Sequence, residues 1–172
     1  MRRLLLVSLF LASTVSAQTD MTVPQGEPVA SHQIPASSSF SGLSRRVIAY
    51  SEYFSDVMAA LKQPDAGDEV WAPLESLVDT ATFERQGVFS DGKTERFGWD
   101  TYKQFIQAYA AGTHWEGSLR FIMEEGRMVV LGLEERSTYA GVTNTANTVT
   151  VYRFNDRDQL IALEVYVMPL GE

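Results

Sequence analysis

The 172-residue chain contains no cysteine. That excludes disulfides, a thiolate nucleophile, a lipid-bearing cysteine at an export cleavage site and any Cys-based zinc site. Histidine is nearly absent as well, with two in the whole chain, so no His/Asp/Glu cluster has the spacing of a metal site. Neither a Gly-rich phosphate loop nor a Ser-His-Asp order is visible, and no internal repeat. Nothing in the pattern asks for a cofactor. Positive charge is scarce, with 14 basic residues against 22 acidic ones and a net charge of −8. A field of that sign repels phosphate backbones and anionic lipid heads, which argues against nucleic-acid or membrane-surface partners.

The longest apolar run is Leu4 to Val15, about 12 residues against the roughly 20 that a membrane-spanning helix requires. Arg2 and Arg3 precede it, and Val15-Ser16-Ala17 places small residues where a signal peptidase cuts. Residues 1–17 are therefore expected to be a signal peptide for general secretion, and the protein to be exported, periplasmic or secreted. Cleavage removes Arg2 and Arg3, leaving 12 basic against 22 acidic residues and a mature charge of −10, with no membrane attachment.

What is plentiful is apolar matter: 45% of residues are hydrophobic, with three Trp, seven Tyr and nine Phe, enough for one substantial core. Residues 18–42, with Pro24, Pro28, Pro35 and the Ser37-Ser38-Ser39 run, read as a flexible leader. His32 lies there without a role. The folded domain is expected over 43–172. Leu43, Val47, Tyr50, Phe54, Val57, Met58 and Leu61 recur at helical spacing, and Pro64 and Gly67 end that helix. Asp68 caps a second, shorter helix with the stripe Val70, Trp71, Leu74, Leu77 and Val78, Pro73 being tolerable only near its first turn. A strand over Ala81–Val88 and a turn at Asp91-Gly92 follow. Asp100 then caps a third helix with Tyr102, Phe105, Ile106 and Tyr109 inward, ending at Gly112. Beyond Gly112 the period changes to two, with strands at Ser118–Glu124, Arg127–Tyr139, Thr148–Asn155 and Leu160–Met168. The expected class is α+β: a curved antiparallel sheet shaped as a cone, about three helices on its concave face, and a pocket at the open end.

The phrase Leu77-Val78-Asp79-Thr80-Ala81-Thr82-Phe83-Glu84 and the strand Val129 to Arg136 resemble the nuclear transport factor 2-like superfamily. So does the closing pair Val151-Tyr152-Arg153-Phe154 with Leu160 to Tyr166. The resemblance spans about Leu43 to Met168 and looks most like its SnoaL-like branch. Fold does not give function, because this scaffold hosts isomerases, cyclases, hydrolases and binding modules.

Each inherited chemistry meets an obstacle here. The ketosteroid-isomerase-like base on the first strand is matched by Arg85, a permanent cation. The limonene-epoxide-hydrolase-like pattern keeps Arg136 but has Thr138 and Val165 where acids are expected. A SnoaL-like acid–histidine set could draw only on His114, beside Trp115 and Glu116, which reads more simply as a surface residue at a strand start. Carried over residue by residue, the resemblance implies a pocket lined by Phe83 and Arg85, by Glu134, Arg136 and Thr138, and by Ile161, Leu163, Val165 and Val167. Tyr50, Tyr53 and Trp115 would close its rim. Such a cavity suits a small hydrophobic or anionic ligand whose carboxylate or enolate is forked by Arg85 or Arg136. The competing expectation is that Glu134 pairs with one of those arginines and the cone is simply core. An enzyme with an unconventional acid–base set (Glu134, Tyr53 or His114) and a pocketless interaction module also stand open. Ala162, Glu164 and Tyr166 fall on the outer sheet face, where the resemblance implies a homodimer.

Overall fold

In a computed structural model the described residues are 34–89 and 92–170. The chain divides after Ala30 into two units, and everything described lies in the second. The expected signal peptide and most of the leader lie outside the described residues. Within the leader's last stretch, Ser37–Ser39 form a 3-10 turn and Ile34 and Phe40 pack against the core.

Helix α1 spans Gly42–Ala60 and buries Leu43, Val47, Ile48, Tyr50, Ser51, Val57 and Met58, the face its spacing foretells. The second helix is shorter than its stripe suggests. A 3-10 turn at Asp68–Trp71 runs into the single-turn α2, Ala72–Glu75, because Pro73 is compatible with a helix only at its start. The stripe is buried all the same: Trp71, Leu74 and Val78 lie in the core, and Val78 bridges to Leu160. Helix α3 spans Trp99–Ala110, with Gly98 as the N-cap residue and Asp100 in the first turn without a capping bond.

Six strands form one sheet in the order β2-β1-β6-β5-β4-β3. They are β1 Glu84–Phe89, β2 Thr94–Gly98, β3 Thr113–Glu125, β4 Met128–Tyr139, β5 Val142–Phe154 and β6 Leu160–Pro169. The sheet is mixed rather than purely antiparallel, since β1 runs parallel to β6 with Arg85 opposite Leu163. Strand β2 carries no strand pattern in the sequence, because Phe97 is its one large apolar residue in a run with Thr94, Glu95 and Arg96. β5 starts at Val142, earlier than expected, because Ala140 and Gly141 both take positive φ (50° and 81°) and close a two-residue hairpin between Tyr139 and Val142.

The long strands β3, β4 and β5 curl around the helices, with a register shift between Leu119 and Phe121 that bends β3. Inside, Phe83, Trp99 and Tyr102 pack ring to ring, with 5.0 Å between the Phe83 and Trp99 centroids. Among the described residues no helix is long and apolar enough to cross a membrane.

Candidate functional site

The helices do not fill the cone. A cavity of about 290 Å³ remains between α1, α3 and the concave side of β1, β3, β4, β5 and β6. This is close to the lower end for small-molecule sites. Its aliphatic wall comes from alternate residues of β6, namely Leu163, Val165 and Val167, as strand geometry requires. Opposite stand aromatic side chains: Tyr50 and Phe54 from α1, Phe105 and Tyr109 from α3, Phe89 from β1 and Trp115 from β3.

Arg85 points into this space from β1. It is 8% exposed, and its Nη1 has no hydrogen-bond partner among the described residues. The guanidinium carbon lies 5.6 Å from the Phe97 ring centre and 5.3 Å from that of Phe105. Those contacts favour the cation but satisfy no N–H. On the wall formed by β4, Glu135 faces the same cavity. It accepts hydrogen bonds from Trp115 Nε1 at 3.1 Å and from the Thr148 hydroxyl at 2.7 Å.

Four tyrosines complete the polar lining. The hydroxyls of Tyr50 and Tyr102 are 3.0 Å apart. Burial pushes the Tyr50 phenol well above its ordinary value, and the neighbouring Tyr102 adds to the effect while Arg85 opposes it. Burial likewise raises Tyr102, Tyr109 and Tyr152. Ser137 partly opposes the effect at Tyr109, and Ser51 does so at Tyr152. All four therefore stay protonated at neutral pH and can donate.

Of the residues expected to form the pocket, Arg85, Val165, Leu163, Val167, Tyr50 and Trp115 line it. Phe83 does not, because it precedes β1 and is buried in the aromatic cluster with Trp99. Tyr53 packs against the core outside the cavity, and Ile161 does not line it either. On β4 the expected set is off by one residue, which turns every side chain to the other face. The inward residues are Leu131, Leu133, Glu135 and Ser137, while Glu134, Arg136 and Thr138 face outward. Glu134 pairs with Arg120, Arg136 is exposed, and Thr138 bonds the Thr143 hydroxyl at 2.9 Å. The internal Glu134–Arg85 pair considered from the sequence is therefore not formed. A legible signal for the correct face existed: Val129, Leu131 and Leu133 are bulky, whereas the alternate set contains Gly132. His114 also stands apart from the cavity, its side chain 65% exposed and its Nε2 3.2 Å from Glu116 Oε1.

A larger open groove of about 660 Å³ runs between Ile34, α1 and β3, sharing Ser51 and Trp115 with the cone. Glu52, Asp56 and Glu116 line it, a surface unsuited to anions. The chemistry that converges lies in the cone.

No protein-family model matches the chain, and no curated protein matches it. Solved structures do. A candidate isomerase from Rhodopseudomonas palustris aligns with a TM-score of 0.51 at 12% identity, covering 69% of this chain and 88% of that one. An NTF2-like protein of unknown function from Exiguobacterium sp. 255-15 aligns at 0.49 with 17% identity, covering 72% of this chain and 99% of that one. The domain has the NTF2-like fold. An LEH-like epoxide hydrolase from M. tuberculosis aligns at 0.48 with 10% identity, over 69% of this chain and 82% of that one. Identities this low speak to the fold alone, so the activity must be argued from what the NTF2-like cone contains.

Proposed function

We propose that this NTF2-like domain belongs to the SnoaL-like branch and is an exported module whose cone holds a small amphipathic anion. Arg85 grips the acidic group, and the apolar body lies against Leu163, Val165 and Val167. The observation that carries this reading is Arg85 itself, a side chain that lines the cavity while its buried Nη1 has no acceptor among the described residues. A buried donor left unsatisfied costs about 1–3 kcal/mol, more when charged. A ligand carboxylate or enolate oxygen removes that cost and adds a charge-assisted hydrogen bond. Export rests on the pattern of residues 1–17, Arg2 and Arg3 followed by Leu4 to Val15. A second copy of the chain is the partner this reading gives to the outer sheet face, where Phe121, Met123, Tyr166 and Met168 are 39–58% exposed.

A catalytic reading draws on one observation, Glu135, a carboxylate inside the cone. Two donors already hold its oxygens, and Arg85 and Val165 occupy the other cavity positions where the resemblance expects acids. Binding therefore remains the preferred reading.

Calorimetric titration of the full chain with matched acid and alcohol pairs, 3-phenylpropanoate against 3-phenylpropan-1-ol, tests it. The acid should bind at least about tenfold more tightly, and Arg85→Met should erase the difference. Equal affinity for acid and alcohol in the folded wild-type protein would overturn the anion reading.

A further inference from the structure

The cone carries two charges on different walls. Arg85 is on β1 and Glu135 on β4, with β6 and β5 between them in the sheet. Each has hydrogen-bonding capacity left over, and the two kinds are opposite. Nη1 of Arg85 lacks an acceptor. Glu135 takes one donor on each oxygen, Trp115 Nε1 on one and Thr148 on the other. An ionised carboxylate offers about four lone-pair sites, so about two remain for a further donor. The two charges are separate: among the described residues no ion pair joins Arg85 to any carboxylate. They nevertheless share surroundings. Beyond burial, Arg85 favours the ionised form of Tyr102, whereas Glu135 opposes it, so that phenol feels both.

Resting on the anion reading above, we infer that the ligand is two-ended: an acidic group for Arg85 and, across an apolar body, a hydroxyl or ammonium donor for Glu135. A cavity of about 290 Å³ equals roughly ten water volumes, which sets the ligand at about ten to fifteen non-hydrogen atoms. The aromatic wall of Tyr50, Phe54, Phe105 and Tyr109 and the aliphatic wall of β6 accept a flat or branched body between the two polar ends. A singly ended acid covers the half-buried Glu135 carboxylate with apolar matter, and this penalises it relative to the two-ended ligand.

The test is a three-member series titrated into the full-length protein: 3-(4-hydroxyphenyl)propanoate with both ends, 3-phenylpropanoate with the acid alone and 4-propylphenol with the hydroxyl alone. The two-ended ligand should bind about tenfold or more tightly than the acid alone, and the phenol most weakly. Glu135→Gln should shrink the first ratio to a few-fold, by weakening the two-ended ligand and easing the penalty on 3-phenylpropanoate; Arg85→Met should weaken both acids together. If 3-phenylpropanoate binds as tightly as its hydroxylated partner, the two-ended inference is wrong and the anion reading survives. If neither acid outbinds 4-propylphenol, both readings go. Should Glu135→Gln fail to fold, the series on the wild-type chain decides by itself.

Discussion

Helix α1 carries Tyr50, Ser51 and Phe54 into the cavity, and its start is held from a distance. Its N-cap residue, Ser41, makes no side-chain capping bond. Glu124, at the end of β3, supplies the caps instead. One carboxylate oxygen accepts the Leu43 N–H at 3.1 Å, and the other accepts the Ser44 N–H and hydroxyl, both at 2.7 Å. Gly42 adopts φ +58° there, and a Cβ on it would lie 2.7 Å from a Glu124 oxygen, so the close approach depends on glycine. Burial alone pulls the Glu124 carboxyl upward, but the Ser44 hydroxyl and amide and the Leu43 amide outweigh it and lower its pKa. Removing a helix cap costs about 0.5–2 kcal/mol, and a carboxylate at a helix N-terminus adds about 0.3–1 kcal/mol. Because Glu124 is exposed and screened, the expected loss for Glu124→Ala is about 1–1.5 kcal/mol, or a melting point lower by about 3–6 °C.

The sign with pH follows from the direction of the shift. A carboxylate lowered in the fold stabilises above its unfolded value, about 4.3, and the contribution is lost as pH falls through the folded value. Thermal melts followed by circular dichroism at pH 7 and at about pH 3 should show the deficit of Glu124→Ala at the first and little of it at the second. A variant that melts with the wild type at pH 7, or loses as much at pH 3, would refute the capping argument.

Arg85→Met relieves a buried unpartnered donor, about 1–3 kcal/mol, and gives up two cation–π contacts of about 0.5–1 kcal/mol each. The two nearly offset each other, so the unliganded variant should have a stability between about 1 kcal/mol below and about 2 kcal/mol above that of the wild type in denaturant; a loss beyond about 2 kcal/mol would show that the arginine is structural. Burial raises the phenols of Tyr50, Tyr102, Tyr109 and Tyr152, so their contribution is complete below about pH 10 and lost above it, at up to about 1.4 kcal/mol per group per pH unit. Melting points should hold to about pH 9.5 and then fall steeply, and tyrosinate absorbance should lag behind that of free tyrosine until the fold is lost. Native protein whose phenols all ionise normally would contradict this. If the outer face joins two copies, Met168→Glu should turn a dimer into a monomer in sedimentation velocity without moving the ligand affinity. A wild-type protein that sediments as a monomer at high concentration removes that interface.

The helices were legible because a long amphipathic stripe has one good solution. Leu43 through Leu61 could bury their apolar side only as α1, and Tyr102, Ile106 and their neighbours only as α3. The last strand was legible because Leu163, Val165 and Val167 repeat at period two. The β4 wall was misplaced because Glu134 and Glu135 are chemically identical neighbours, and only the register with β5 says which one enters the cone. Local pattern also could not supply the parallel pairing of β1 with β6, since it joins residues far apart in the chain.

The class of the fold, the lack of thiol chemistry, the acidic balance and the arginine at position 85 are all written in the residues themselves. These follow from residue type and short-range periodicity. That Glu135 rather than Glu134 shares the cavity with Arg85, and that Nη1 of Arg85 is buried without an acceptor, comes from the packing of the whole domain. Which charges meet, and which stay unpaired, depends on how the curved sheet closes over the helices, a long-range packing outcome that no local run of residues encodes.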